Sequence, residues 1–310
     1  MASALWLGVA VIYASKAGEA GAAKIAEALR GAGVPAAVFN YDALDAIWGC
    51  YDAYVFVMAA GGVVRALCKR LEDKARDPPV VVASHDLRRF VPLVGAHRGA
   101  NELAARLAHM LGGEVVITTA SERLGFAPVE DLERALLCSL SREDELEVYR
   151  RLIAGEEVCV DAPVDMPGYR RGLGCGVTIR VGCDGKFCCR RWRIYAGFGA
   201  SSKASPHDVV RAIRRALADV GAEAVEAVAS VKDLVYEVAS LLGARAVKLE
   251  PSRLVRDRCL SPPFRLAEER LGVGNVAEAA ALTAAGPGGK LIYRKRAYEG
   301  SVTVAFAANE

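Results

Sequence analysis

The sequence predicts an α/β protein in three parts: an N-terminal doubly wound domain on a parallel sheet (residues 1–125), a variable middle or linker segment (126–189), and a C-terminal α/β domain (190–310). Three observations predict this. Short apolar runs without polar alternation are separated by helical patterns, as in a parallel sheet covered on both faces. The stretch APVDMPGYRRGLGCG, residues 162–176, has the Pro and Gly density of a linker or irregular loop. Past Arg190 the strand–helix rhythm resumes.

Taken in order, Leu5–Tyr13 reads as an apolar strand and Ala17–Ala32 as a small-residue helix stopped by Gly33. Pro35–Asn40 and Ala53–Met58 follow as strands, then a helix from Gly62 to Lys74. Val80–Ser84 and Phe90–Val94 are short buried strands, Asn101–Leu111 is a helix, and Val115–Thr118 is the last strand of the domain. In the middle segment, acidic helices over Val129–Leu137 and Arg142–Ala154 lead to the strand Glu157–Asp161. An Asp-Gly turn between Val177–Val181 and Phe187–Tyr195 reads as a β-hairpin. In the last part Arg193–Gly197 is a strand, and Pro206 sits in the first turn of a helix running to Val220. Further units follow at Glu226–Ala229, Val231–Leu242, Ala246–Leu249 and Val276–Ala285, closed by the strands Leu291–Arg294 and Val302–Ala307.

Composition narrows the function. Of 310 residues, 53% are hydrophobic and 25% charged, too apolar for disorder. The longest apolar runs, such as Tyr54–Val64, fall short of the roughly eighteen residues of a membrane span. The opening MASALWLGVAVIYASK has no basic start, so a secretory signal is not expected and a cytoplasmic location is. Net charge is +3, split as +1, −4 and +6 over the three parts. So small a total argues against nucleic acid as partner, while the basic last third suits a polyanionic small molecule or an ordinary solvated face. There is no glutamine, and arginine outnumbers lysine thirty to ten; a thermophilic source and GC-rich coding both produce such a bias. Nine cysteines include Cys175, Cys183, Cys188 and Cys189, whose spacing matches no common zinc site, which favours structural thiols or disulfides.

Four segments could carry chemistry. In VGAHRGANELAARLAHMLG, glycines frame His97 and Arg98 between a strand end and a helix start. His97 can titrate near neutrality, Arg98 can grip a carboxylate, and free N–H groups at the helix start favour anions. Here Asn101 reads equally as a helix N-cap and Glu102 as a complement to the helix dipole. In MAAGGVVRAL, Gly61 and Gly62 follow a buried strand and Arg65 stands one turn into the helix, without a full dinucleotide fingerprint. In YAGFGASSKAS, Gly199, Ser201, Ser202 and Lys203 occupy the corresponding turn, with Ser205 as a candidate N-cap. In LGVGNVAEAAAL, Gly274 precedes Asn275, which with Glu278 resembles a capping box. Chemistry alone stops at an α/β protein that binds an anionic small molecule.

In this order, GGVVRAL, LEDKARDPPVVV, GAHRGANELAARLA, VITTASERLG, AGFGASSKAS, VASVKDLVYEVASLLG, LGVGNVAEAAALTAAG and KLIYRKRAYEGSVTVAFA resemble the CbiG family, the cobalt-precorrin-5A hydrolases of anaerobic cobalamin biosynthesis. The chain departs from the family pattern where Ser84, His85 and Asp86 replace an Asp-Glu pair, where Ala96–Asn101 replaces Gly-His-Gly-Gly-Ala-Asn, and where Ala200 replaces a cysteine. The resemblance implies a hydrolytic ring contraction: water opens the δ-lactone of cobalt-precorrin-5A and acetaldehyde leaves, giving cobalt-precorrin-5B. The cobalt arrives with the tetrapyrrole substrate, so the reading requires no protein-bound metal or other cofactor. Neighbouring precorrin methyltransferases are the implied partners. The rival reading is a binding or scaffold protein that carries corrinoid intermediates without chemistry; a flavin- or nucleotide-binding domain is a third. For hydrolysis, His97 is the expected general base, with Glu102 beside it. The amides of Gly99 to Asn101 are expected to face the oxyanion, with Gly61, Gly62, Arg65, Arg98, Thr118, Thr119, Gly199, Ser201, Ser202, Lys203, Gly274 and Asn275 on the substrate.

Overall fold

A computed structural model describes residues 5–72, 77–117, 126–261, 274–299 and 301–309. They form two compact units, Met1–Leu136 with Leu140–Cys189, and Leu137–Ser139 with Arg190–Glu310.

The first unit opens with β1 (Val9–Tyr13), α1 (Lys16–Gly31), β2 (Ala36–Asn40), the single turn α2 (Leu44–Ile47), β3 (Ala53–Val57) and α3 (Ala60–Leu67). After these come β4 (Val80–Ala83), β5 (Arg89–Val94), α4 (Ala100–Leu111) and β6 (Glu114–Val115). The sheet order is β2-β1-β3-β4-β5-β6. Both faces are buried: Val9, Val11, Val55 and Val57 pack with Ile25, Leu29, Leu103 and Leu107 from α1 and α4. Their neighbours Ile12, Tyr54 and Phe56, pointing the other way, are also fully buried. Each such side chain contributes about 1.5–3 kcal/mol to folding, which is why apolar runs without alternation were needed.

Strand direction departs from the expected all-parallel sheet. β1 to β4 are mutually parallel, but β5 runs antiparallel to β4, and β6 parallel to β5. The cause is the connection 84–88, too short for a crossover, which needs a dozen or more residues. It closes as a tight turn in which the Ser84 hydroxyl donates to Asp86 at 2.6 Å and Leu87 takes a positive φ of 58°.

The same unit holds α5 (Val129–Leu136), α6 (Arg142–Ile153), β8 (Val158–Asp161), β9 (Tyr169–Arg171), β10 (Val177–Val181) and the start of β11 (Cys188–Arg191). Here β10 pairs parallel with both β8 and β11, and β8 parallel with β9. The expected hairpin over 177–195 is therefore a short parallel connection: Arg180 N–H donates to Phe187 O and Gly182 N–H to Cys189 O. A Cys183–Cys188 disulfide spans the connection, and Cys159–Cys175 ties β8 to the Gly-rich loop. These bonds supply cross-links that the sparse apolar content of 162–176 does not. Cys68, at the end of α3, is a free and exposed thiol.

In the second unit β7 (Cys138–Ser139) pairs with Arg190 and Arg191. The main sheet is built from β12 (Arg193–Ala200), β13 (Ala227–Ser230), β14 (Arg245–Lys248), β15 (Lys290–Tyr298) and β16 (Val302–Asn309), in the order β14-β13-β12-β16-β15. β12, β13 and β14 are parallel, while β16 runs antiparallel to both β12 and β15. Helices α7 (Pro206–Val220), α8 (Val235–Leu242) and α9 (Val276–Ala285) complete it. Alanine-rich α9 lies against β12 so closely that a Cβ on Gly197 would overlap the Ala277 carbonyl and the Ala281 nitrogen. Small side chains at 277, 279, 280, 281 and 285, all buried, make that approach feasible.

Candidate functional site

The expected site residues of the first unit occupy two edges of one sheet. Gly61, Gly62 and Arg65 follow β3, at the carboxyl ends of β1, β3 and β4. Arg65 is exposed, and its guanidinium donates to the Gly61 carbonyl at 3.4 Å. His85, in the turn after β4, lies on this edge as well. Ligands of open α/β sheets gather at this side, where β1 and β3 send their helices to opposite faces.

His97, Arg98, Gly99, Asn101 and Glu102 follow β5 instead. Because β5 is reversed, they stand at the amino ends of the parallel strands: Val94 pairs with Val80, the first residue of β4. The two groups are separated by the length of β4, roughly 10 Å at 3.3 Å per residue. The backbone of His97 lies in the single 3₁₀ turn Ala96–Arg98. Arg98 donates to the Asp77 carbonyl at 3.1 Å. Gly99 caps α4 with φ 96°, a conformation that favours glycine.

Three details differ from expectation. The cap of α4 is Gly99 and not Asn101, which lies inside the first turn and is only 7% exposed. The side chain of Asn101 is therefore not presented to a ligand in solvent. The amides of Gly99 and Ala100 are occupied, donating to the carbonyls of Ala96 and Gly95, so these two expected oxyanion donors are already engaged. Glu102 is exposed in that first turn.

What the sequence concealed is the ring of charge beside Arg98. A small cavity there is lined by Asp52, Pro79, Arg98, Glu130, Asp131 and Arg134. Asp52 is an anchor, accepting from the Leu7 and Gly8 amides at 2.6 and 3.0 Å and pairing with Arg134 at 3.3 Å. Burial raises the Asp131 carboxyl above the usual aspartate range; Arg134 and Arg98 oppose this, Glu130 and Glu102 reinforce it. Tyr149 donates to Glu130, and its phenol is pushed up by burial and by that carboxylate. An acidic helix reads as a solvated face, and only its apolar partners Val129 and Leu132, both fully buried, hint that α5 turns its acids inward.

In the second unit the expected residues do share an edge. Gly199 is the penultimate residue of β12, and Ser201, Ser202 and Lys203 follow the strand and lead into α7, whose cap is Ser205 in a capping box with Asp208. Ser202 and Lys203 are exposed, and the Lys203 amide donates to the Ser201 hydroxyl. Gly274 and Asn275 stand at the start of α9, which runs antiparallel to β12: Gly197 meets Ala277 and Ala281, while Ala285 at the far end accepts from Asn309, opposite Arg193. Asn275 caps α9 as expected, accepting from the Glu278 amide at 3.4 Å, and is 3% exposed. Lys232, after β13 on the same edge, is half-buried and escaped notice because a lone lysine in a loop carries no pattern. Thr118 and Thr119 lie outside the described residues. Among the described residues, no group of His, Cys, Asp and Glu is arranged to hold a metal ion, and no helix is long and apolar enough to cross a membrane.

The fold and its loops define an α/β protein of two units, with glycine-rich turns and basic side chains at the ends of its strands. Two family profiles match it, Cobalamin synthesis G N-terminal over residues 42–122 and Cobalamin synthesis G C-terminus over 194–307. The chain belongs to the cobalamin synthesis G (CbiG) family. A Methanocaldococcus jannaschii protein named "Probable cobalt-precorrin-5A hydrolase" is 24% identical over 193 residues, 59% of each chain. The Salmonella typhimurium "Cobalt-precorrin-5A hydrolase" is 42% identical over 73 residues, 23% of this chain and 21% of that one. These alignments thus span about three-fifths and a fifth of the curated relatives' lengths. A crystal structure of a "cobalamin biosynthesis protein G homolog" from Sulfolobus solfataricus superposes with a TM-score of 0.84 at 26% identity, covering 100% of this chain and 99% of that one.

Proposed function

We propose that the protein is a cobalt-precorrin-5A hydrolase, opening the δ-lactone with water and releasing acetaldehyde to give cobalt-precorrin-5B. The observation that carries this is the presence of both CbiG halves, in order, on one chain whose curated relatives bear that name. The substrate is a cobalt-containing tetrapyrrole with peripheral carboxylates, and the cobalt is its own. In this reading His97 takes a proton from the attacking water, with Glu102 close by in sequence on the first turn of α4. The N-terminal end of that helix supplies positive potential for the developing oxyanion. Arg98 holds a carboxylate near the reacting group, whereas Arg65, on the opposite edge, can serve only a different part of the ligand. In the second unit, Gly199, Ser201, Ser202 and Lys203, with the start of α9 at Gly274, offer a basic surface of their own suited to carboxylates. Gly61 and Gly62 leave the backbone before Arg65 accessible. The enzyme works in the cytoplasm on this reading, and precorrin methyltransferases hand over and receive the labile intermediate.

Anaerobic incubation with cobalt-precorrin-5A and assay of free acetaldehyde tests the activity directly. The expected result is one acetaldehyde per substrate consumed. The substitutions at Ser84–Asp86 and Ala200 favour one alternative, a non-catalytic carrier of corrinoid intermediates. Tight binding of the intermediate with no acetaldehyde would select it.

A further inference from the structure

The strand β15 loses its regular register twice against β16, between Leu291 and Tyr293 and again between Tyr293 and Arg296. The second irregularity places Arg294 and Lys295 opposite a single partner position, the count of a β-bulge, and bulges re-aim side chains. Alternation fails accordingly: Tyr293 and Arg294 are consecutive buried residues, and Lys295 and Arg296 are both half-buried.

What surrounds Lys295 is a carboxylate already in full use. Glu278, wholly buried in α9, accepts from the Ser261 amide at 2.6 Å, the Ser261 hydroxyl at 2.7 Å, the Asn275 side-chain amide at 2.9 Å and the Lys295 backbone amide at 2.8 Å. Four donors fill the capacity of one carboxylate. It therefore engages the backbone of Lys295 and has no lone pair left for the ammonium, which forms no ion pair among the described residues. The neighbouring cation Arg294 is itself held, donating to Ser261 Oγ at 3.1 Å and the Cys259 carbonyl at 3.3 Å. Burial lowers the Lys295 ammonium below the ordinary lysine value; Glu278 opposes this and Arg294 adds to it. A lysine partly removed from water beside a second cation is a recognised arrangement for an amine that attacks carbonyls.

We propose that Lys295 is a carbonyl-reactive amine that forms a reversible imine with a small aliphatic aldehyde. The unprotonated Nζ adds to the carbonyl carbon to give a carbinolamine. One proton passes from nitrogen to the carbinolamine oxygen, the hydroxyl then leaves as water with the remaining proton of the nitrogen, and a C=N bond replaces C=O; hydrolysis reverses each step with no change of oxidation state. The choice of acetaldehyde rests on the hydrolase reading, for which such a site would hold the released product until it is hydrolysed off. The amine chemistry itself does not depend on that reading.

The test uses the whole protein with acetaldehyde and cyanoborohydride at neutral pH, without any corrinoid. The hydride traps the imine as an N-ethyl group, and peptide mass spectrometry compares Lys295 with the exposed Lys290 on the same strand. Ethylation of Lys295 is expected severalfold faster, since a lowered pKa leaves a larger fraction of free amine at neutral pH. The ratio should narrow as pH rises into the ordinary lysine range, and Lys295→Arg should remove that label alone. Equal rates at Lys295 and Lys290 in the unaltered protein would overturn the proposal. Selective ethylation with no acetaldehyde formed from cobalt-precorrin-5A would leave the imine site standing and remove the hydrolase reading; acetaldehyde formation with unselective ethylation would do the reverse.

Discussion

In the first unit the loop after β3 and the loop after β5 open on opposite edges of the sheet, whereas in the second unit the loop after β12 and the start of α9 share one edge. The local signals are alike in all four places: a strand, glycines, a polar or basic residue, then a helix. The difference comes from direction. The reversed β5 carries His97 to the amino ends of its parallel neighbours, while in the second unit α9 runs back along β12 and returns Asn275 to the edge that holds Lys203. Equivalent turns thus become one site or two according to the sense of a single element.

Catalysis offers the sharpest way to break this contrast. If the His97 edge holds the reacting group, His97→Ala should lower kcat by about 10²–10⁴. Arg65→Ala, on the other edge, should leave kcat near normal and chiefly raise KM. The opposite pattern would move the chemistry to the carboxyl ends of β1, β3 and β4, with His85 as the base to test next.

Stability should distinguish the glycines by what they pack against. A methyl at 197 has nowhere to go but into the backbone of α9, so Gly197→Ala should destabilise the second unit by about 2–3 kcal/mol or more. Gly61→Ala meets only the tip of Arg65, 3.9 Å away, and should stabilise by about 0.5–1 kcal/mol in chemical denaturation. A neutral Gly197→Ala would mean that α9 does not sit on β12 as described. Arg98→Ala should cost about 1–2 kcal/mol through the lost bond to Asp77, which Arg65→Ala does not share.

The smallest effect concerns Asp131, whose folded carboxyl titrates above its unfolded value. Such a group penalises folding when ionised. The penalty is full above the folded value, fades as pH falls through it, and vanishes below the ordinary aspartate range. Asp131→Asn should therefore raise Tm slightly at neutral pH, with the gain lost on acidification. A gain that grew toward low pH would show that burial does not dominate at this carboxyl.

The apolar runs were readable, as were the caps Ser205 of α7 and Asn275 of α9, because burial and capping write themselves into neighbouring residues; at α4 the cap fell on Gly99 instead of Asn101. Strand direction was not read from the periodicity, although the five-residue link 84–88 excluded a crossover and the same arithmetic misled at 182–187, where a parallel pair closes over a short disulfide-bonded link. Serine, aspartate and lysine positions such as Ser261, Asp131 and Lys295 were silent, because their meaning comes from partners distant in the chain: Ser261 meets a carboxylate 17 residues away. Of the candidate site, the glycine-framed turns were legible; which of them face a common ligand was not.

With eight of the nine cysteines disulfide-bonded, Cys68 offers a ready-made attachment point for a maleimide dye. It lies three residues beyond Arg65, at the far end of the short helix that begins at the carboxyl edge of the first sheet. A fluorophore placed there, with no residue replaced, would convert arrival of a coloured cobalt macrocycle into quenching whose depth reports proximity. That optical signal would reveal which rim of the first sheet the proposed tetrapyrrole substrate approaches, independently of any assay of activity.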